Sequence, residues 1–314
     1  MMLSAACLQF LQHCRFEKVL SSKTIKAYSS DMKQFCLFVG RRISIDKVGK
    51  TEIRDYVASL SSFKPKTIKR KVATLKALFN FLEFDDAILL NPFRKMRIRI
   101  KEPKRLPSVM DIQEITGIFR ATYGRRHLLD NPASYRYRSA IRNIAVIELL
   151  FATGARVSEI ANLRVESLQL SNGLVTIRGK GDKERIIQVC SAEALSAIRE
   201  YFSLFRSDIN SAGGWFFINR VGRKLSDQSI RNLVKAVARQ AGMTRKVTPH
   251  VFRHSFATLL LEKEVDIKYI QVMLGHSSIV TTQIYTHVNA IKQKKILETK
   301  HPRKDITLFL GNAG

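Results

Sequence analysis

Residues 247–287 limit what this chain can fold into more than any other stretch, because they combine a helix start with a group of cationic side chains. Thr248 precedes Pro249, a pair that predicts a helix with threonine as its N-cap and proline in its first turn. A spacing of three residues places His250 and Arg253 on one face of that helix. A helix N-terminus, an imidazole and a guanidinium can therefore converge on one anion.

The same stretch continues with further histidines and a tyrosine. His254 gives HVFRH the spacing of half a zinc site, but the glutamate of HExxH is missing and the arginine would repel a dication, so we expect no metal. His276 follows in LGH, and Tyr285 lies at the edge of a short apolar stripe in IYTH. Most tyrosines at such positions pack, although a tyrosine can also attack a phosphodiester. We expect supporting roles for His254 and His287.

The charge balance indicates which anion such a site would bind. The chain has 314 residues, with 54 Lys and Arg against 26 Asp and Glu and a formal net charge of +28. A chain this basic favours a polyanionic partner, most simply a nucleic acid. Hydrophobic residues make up 45%, enough for one or two folded cores. No apolar run approaches the roughly 18 residues that span a bilayer, so we expect no membrane partner.

The N-terminus and the cysteines indicate a cytoplasmic protein. The first residues lack the basic region of a signal peptide, and polar residues interrupt their apolar positions, which predicts an amphipathic helix. The cysteines form no CxxC pair, and we expect them to be reduced core residues. They are Cys7, Cys14, Cys36 and Cys190.

Helical periodicity predicts a first domain at residues 1–90, made of four helices with basic outer surfaces. A basic linker at 91–107 follows, with seven Lys or Arg between Arg94 and Arg105. A single surface lysine is usually only solvated, but the excess of cations over acids favours contact with DNA phosphates. The candidates for that contact are Lys66, Lys69, Arg70, Arg94, Lys95, Arg97 and Arg99.

The second domain is predicted at residues 108–300, followed by a tail at 301–314. Residues 174–178 and 185–189 predict a β-hairpin around the turn GKGDKE, and 215–218 are a candidate strand. The polar residues 123–137 predict a loop. The expected fold class is mainly α with a small antiparallel β-sheet. Helices are predicted at 112–120, 138–151, 192–205, 226–241 and through most of the chain beyond 248.

Two more cations are candidates for the site. Arg156 follows a tight TGA turn and starts the helix of ARVSEIANL, with Glu159 one turn further on. In isolation these two residues predict only an ion pair on the surface. Lys180 is at the tip of the hairpin, between glycines that leave it free to reach outward. Such a lysine is usually solvated, yet a mobile general acid would have the same setting.

These signals are weak singly, but their combination and order resemble the catalytic signature of the tyrosine recombinases, the phage-integrase and Xer family. The resemblance rests on TGARVSEIANLR, GKGDKER, TPHVFRHSFAT, LGH and IYTH, which span essentially the whole second domain. The basic helical first domain is similar to the family's core-binding domain. The resemblance therefore implies a two-domain DNA clamp, with a helical core-binding domain and a tyrosine-recombinase catalytic domain.

The resemblance also implies roles for the candidate residues. Arg156, Arg253 and His276 would hold the oxygens of a scissile phosphate, for which guanidinium forks suit the geometry. His250 would share the proton of the attacking tyrosine and help bind the phosphate.

Tyr285 would attack the phosphate and leave a 3′-phosphotyrosyl link, while Lys180 would protonate the departing 5′ oxygen. No ATP, cofactor or metal is implied, because one phosphodiester is exchanged for another and cations take the place of metals.

The implied partner is double-stranded DNA with a specific recombination site. Family members are monomers when free and tetramers on two paired sites, and the apolar residues 306–310 suit docking of the tail on a neighbouring subunit. A tail strand packed within the same chain, or a frayed end, is the alternative. An accessory protein or a second recombinase is left open. The implied location is the cytoplasm, associated with the nucleoid.

Other functions remain open at this point. A type IB topoisomerase or a hairpin telomere resolvase shares much of this chemistry, and relaxing a plasmid that lacks paired sites would identify a topoisomerase. A catalytically silent DNA-binding relative would form no covalent adduct with DNA. A general chromatin protein is disfavoured, because the chain has no low-complexity basic tail. The sequence leaves the target site and the choice between dimer resolution and element transfer undecided.

Overall fold

The computed structural model describes residues 1–40, 42–103, 108–124, 126, 131–179, 183–275 and 288–308. The chain divides into two compact units, Met1–Arg105 and Leu106–Gly314. Both are mainly helical, and the second carries a small antiparallel sheet, which confirms the predicted fold class. No helix in the described part of the chain is long and apolar enough to cross a membrane.

The first unit is built from four helices that share one apolar core. Ser21 caps the second helix by accepting a hydrogen bond from the N–H of Thr24, and Pro65 opens the fourth. Apolar stripes turn inward, including Phe93 and Met96 from the predicted linker. The four helices are α1 (Leu3–Phe16), α2 (Ser22–Val39), α3 (Lys50–Ser59) and α4 (Pro65–Phe84).

The second unit is built on the buried helix α6 (Tyr135–Thr153). Every residue of α6 from Ile144 to its end is buried, as expected of a helix that is apolar on nearly all sides. The other helices in the described part of the chain are α5 (Ile112–Gly124), α7 (Val157–Ala161), α8 (Ala192–Ser211), α9 (Asp227–Gln240), α10 (Pro249–Glu262), α11 (Ile267–Leu274) and α12 (Val288–Lys300). Helices α5, α7, α8, α9 and α10 pack on α6, while α11 packs on α10 and α12 on the sheet.

The sheet of the second unit has three antiparallel strands in the order β1, β2, β3. They are β1 (Leu168–Gln169), β2 (Leu174–Arg178) and β3 (Glu184–Gln188). Strands β2 and β3 form the predicted hairpin, with Ile177 opposite Arg185. Because side chains alternate along a strand, Arg185 lies on the same face as the buried Ile187.

One prediction about this unit has the wrong bounds and another is wrong. The segment expected to be a loop at 123–137 is helical at both ends, because Tyr123 continues the buried stripe of α5 and Ser134 caps α6, while its described residues 131–134 lie outside both helices. The candidate strand at 215–218 forms only isolated bridges, from Trp215 to Arg164 and from Ile218 to Lys224. The third strand is β1 instead.

Residues 301–308, which follow α12, pack against the core of their own unit. Arg303 is 1% exposed and its guanidinium lies 2.8–3.3 Å from the carboxylate of Glu148, which is fully buried. The hydroxyl of Tyr123 donates to the same carboxylate at 2.7 Å. Ile306 is buried and Leu308 packs on this core. Residues 309 and 310 of the apolar tail segment lie outside the described residues.

Candidate functional site

Three of the six predicted catalytic residues can be located in the described chain, and all three lie in the second unit. Arg156 is at the start of α7, and His250 and Arg253 are in the first and second turns of α10. The other three, Lys180, His276 and Tyr285, lie outside the described residues. The described part of the site consists of these two arginines, His250 and the groups that contact them.

Arg156 is held by the carboxylate of Glu159. Its backbone N–H donates to Oε2 of Glu159 at 2.8 Å, and its Nη1 lies 2.8 Å from Oε1. The expected surface ion pair is wrong in one respect, since Glu159 is 6% exposed while Arg156 remains partly accessible. The burial arises because a second arginine covers the same carboxylate.

That second arginine is Arg185 of β3, which the sequence did not single out. Its Nη2 and Nη1 donate to the two oxygens of Glu159 at 2.7 and 3.1 Å, a bidentate contact. Hydrogen bonding to Arg185 holds the pKa of Glu159 below its usual value against the opposing effect of burial. Glu159 is therefore a charged carboxylate shared by Arg156 and Arg185.

Arg253 uses backbone carbonyls in place of a carboxylate. Its Nη1 donates to the carbonyl of Gly154 at 2.9 Å and its Nη2 to that of Leu274 at 2.6 Å. Gly154 ends α6 with φ +58, and a Cβ there would lie 2.6 Å from Cδ1 of Phe256. Glycine is thus required where α6 passes α10, and this close approach brings the Gly154 carbonyl to Arg253.

Arg156, Arg185 and Arg253 all contact backbone carbonyls at the carboxyl end of α11. Arg185 donates from Nε to the carbonyl of Met273 at 2.8 Å, and Arg253 donates to Leu274. Arg156 makes a longer contact of 3.4 Å to the carbonyl of Gly275. The last carbonyls of a helix lack intrahelical partners and carry partial negative charge, so cations are stabilised there.

His250 lies on the exposed side of α10, within the field of the same cations. Its pKa is lowered, which keeps the imidazole neutral at pH 7 and able to accept a proton. The causes are burial first, followed by the charges of His254, Arg253, Arg231 and Arg156. Arg231 belongs to α9, which places the amino-terminal part of α9 near the site.

The electrostatics of the cluster favour an anion. Burial is the largest cause that lowers the pKa of Arg253 to about 10, and the charge of Arg156 lowers it further. Arg253 still remains protonated at neutral pH, so three guanidinium groups face one carboxylate. A bound phosphate would relieve this repulsion. Among the described residues no group of three or more His, Cys, Asp or Glu could hold a metal ion.

The seven candidate DNA contacts of the first unit are all exposed. Lys69 pairs with Glu102 at 2.8 Å, and Arg94 with Glu83 at 2.8 Å. Arg70 contacts Asp31, which is buried and also binds Lys71.

Residues 97–100 alternate, with both arginines exposed and both isoleucines packed towards the core. Arg97 and Arg99 form no ion pair within the described chain. Both guanidinium groups are therefore available to bind DNA phosphates.

Comparison with known proteins relates the whole chain to one family. The phage integrase family matches residues 125–291, and the phage integrase N-terminal SAM-like domain matches residues 8–84. A tyrosine recombinase of Agathobacter rectalis is 42% identical over 300 residues, covering 94% of this chain and 96% of the relative. Tyrosine recombinase XerD of Halalkalibacterium halodurans is 35% identical over 302 residues, covering 94% and 97%.

Solved structures share the fold at lower identity. A lambda integrase dimer bound to a COC′ core site matches with a TM-score of 0.66 and 18% identity, over 90% of this chain and all of that one. XerH bound to its difH substrate matches with a TM-score of 0.65 and 23% identity, over 92% and 83%. At these sequence identities the structural similarity shows a shared fold only.

Proposed function

Since the chain belongs to the phage integrase family and is a tyrosine recombinase, we propose that it cuts and rejoins double-stranded DNA through a covalent 3′-phosphotyrosyl intermediate. The observation that carries the chemistry is the convergence of Arg156 and Arg253 on the carboxyl end of α11. That end leads directly into His276 in the sequence. Two guanidinium groups and an imidazole can then meet the oxygens of one phosphate.

The proposed reaction forms one phosphoester bond as it breaks another. The hydroxyl oxygen of Tyr285 attacks phosphorus, and the neutral imidazole of His250 takes up its proton. The bond to the 5′ oxygen breaks, and Lys180 supplies the proton to that leaving group. Arg156 and Arg253 stabilise the charge on the phosphate oxygens during this exchange. A free 5′-hydroxyl from another duplex then reverses the sequence, so no ATP is consumed.

We assign the rest of the chain by the same proposal. Residues 1–90 form the core-binding domain, 91–107 the linker and 108–300 the catalytic domain, with a tail at 301–314. Seven exposed cations of the first unit hold the DNA backbone. Tetramers on paired sites are the proposed assembly, supported by a structural neighbour described as a lambda integrase tetramer on a Holliday junction. The proposed location is the cytoplasm, on the nucleoid.

Covalent trapping on a suicide duplex tests this function. A binding site selected from random duplexes is nicked so that cleavage releases a short fragment and the adduct accumulates. Wild-type protein should give an adduct that survives denaturation, and Tyr285→Phe should give none while binding the site with unchanged affinity. Tyr135→Phe, at an exposed tyrosine of the second unit, is the matched control and should behave as wild type. An adduct from Tyr285→Phe would exclude Tyr285 as the nucleophile.

A plasmid assay distinguishes recombination from simple relaxation. A plasmid with two copies of the selected site should be resolved into two circles, while a plasmid without the site should keep its supercoils. Relaxation of the plasmid without a site would point to a topoisomerase instead.

A further inference from the structure

We propose that Arg185 is a positioning residue for strand cleavage, acting through Glu159 and through the carboxyl end of α11 without touching the DNA. The inference rests on the proposed roles of Arg156 and His276. It adds to them a residue of β3, which holds the carboxylate that contacts Arg156 and a carbonyl in the last turn of α11.

Arg185 is suited to hold other groups and poorly suited to bind DNA itself. Its side chain is 10% exposed, whereas that of Arg156 is 35% exposed. Three of its five N–H groups are already committed: one to the carbonyl of Met273 and two to Glu159. A phosphate arriving from solvent would therefore meet Arg156 and leave Arg185 in place.

The contacts of Arg185 join three segments that are distant in the sequence. Glu159 belongs to α7, Arg185 to β3 and Met273 to the last turn of α11. Oε1 of Glu159 also accepts a hydrogen bond from Nη1 of Arg156, so Arg185 and Arg156 both donate to the same carboxylate oxygen. If Arg185 is removed, the carboxylate can rotate, and the guanidinium of Arg156 follows it.

The second route runs through the turn that precedes His276. Gly275 has φ +66, and a Cβ at that position would lie 3.0 Å from Nη1 of Arg185. Arg185 is thus packed against the turn as well as bonded to the carbonyl of Met273. One side chain therefore supports both the turn at Gly275 and the carboxylate that holds Arg156.

The test measures cleavage and binding separately for Arg185→Met, which keeps an unbranched apolar stem and removes the donors of the guanidinium. Single-turnover adduct formation on the suicide duplex, at saturating protein, should slow by about 10- to 100-fold, because a displacement of about 1 Å at a reacting group costs as much. Site affinity should stay within about twofold, since Arg185 makes no DNA contact. Arg185→Lys should recover part of the rate, because the ion pair with Glu159 returns without the fork.

Two controls separate positioning from loss of fold. Arg199→Met removes an arginine that also caps carbonyls of the second unit, those of Leu170 and Ser171, and should cleave at the wild-type rate. Rates are measured at a temperature where melting curves show every variant folded. In the double variant with Glu159→Gln, the two losses should be less than additive, because both residues act through one carboxylate.

A duplex with sulfur in place of the scissile 5′ oxygen tests whether Arg185 acts through Lys180, the proposed acid for the leaving group. A thiolate leaves without a protonating acid, so this substrate should rescue Lys180→Ala and leave Arg185→Met slow. Rescue of Arg185→Met would mean that it serves the hairpin lysine, and the proposal fails. It also fails if Arg185→Met cleaves within about twofold of wild type. Failure of the wild-type protein to form any adduct would instead overturn the proposed function.

Discussion

His301 makes the stability of the second unit sensitive to acid. Its ring is almost fully buried, with Nε2 3.1 Å from the carbonyl of Ala152 and Nδ1 accepting the N–H of Arg303 at 2.9 Å. The neutral tautomer with its proton on Nε2 satisfies both contacts, whereas a second proton on Nδ1 would face that N–H. Burial, with the charge of Arg303 adding to it, lowers the pKa of His301 from 6.5 to about 4.

The size of the effect follows from the two pKa values. Between them, the unfolded chain binds a proton that the folded chain excludes, so the free energy of unfolding falls as the pH falls. The stabilisation is fully present above pH 6.5 and is lost as the pH falls towards 4. For His301 alone the loss is about 2 kcal/mol between pH 7.5 and pH 5, and about 3 kcal/mol at pH 4.

Urea unfolding at two pH values measures this contribution. The one tryptophan of the chain, Trp215, belongs to the second unit, and its fluorescence reports unfolding of that unit. His301→Gln should be less stable than wild type at pH 7.5, but the difference should shrink by about 2 kcal/mol at pH 5, because titrations common to both proteins cancel. An equal difference at both pH values would refute the assignment of this acid sensitivity to His301.

Two further predictions concern buried and exposed arginines. Arg303→Met should destabilise the second unit by about 3–5 kcal/mol, because Glu148 would be left buried without its cation, and adding Glu148→Gln should restore most of the loss. Urea unfolding measures the stability of Arg303→Met and of the double variant. A loss below about 1 kcal/mol in the free energy of unfolding of Arg303→Met would contradict this prediction. Replacing Arg97 and Arg99 together by alanine should reduce the slope of log K against log salt by about 2 for site binding. An unchanged slope would show that neither arginine contacts a phosphate.

Local periodicity predicted most of the fold, because each helix carries its own apolar stripe. The hairpin was found within one residue from the alternation of β2 and β3. Strand β1 has two residues, too few for any alternation to be detected, and it forms only because β2 offers an edge. The extension of α5 to Tyr123 has no local signal, because the hydroxyl of Tyr123 is buried by a contact with Glu148, 25 residues away.

The sequence named candidate residues for the site but could not give the geometry of those that the structure describes. Spacing alone indicates that His250 and Arg253 are neighbours one turn apart on a helix, but it does not show that Arg253 is buried while His250 is exposed. The contacts of Arg253 with Gly154 and Leu274 span 99 and 21 residues, and no local pattern contains them. Arg185 did leave a signal, since it shares a strand face with the buried Ile187, where a cation requires a partner. That partner, Glu159, could not be identified without the fold.

The use of carbonyl acceptors explains how the site can hold arginines firmly and still bind an anion. A carboxylate beside Arg253 would neutralise its charge and compete with a phosphate. The carbonyls of Gly154 and Leu274 occupy two of its five N–H groups and contribute only partial charge, so the fork is oriented while its positive charge is retained. Glu159 pairs with both Arg156 and Arg185. Its single negative charge therefore leaves the three arginines with a net charge of two positive units. Glu159 can therefore fix the positions of Arg156 and Arg185 while the cluster keeps enough positive charge to bind an anion.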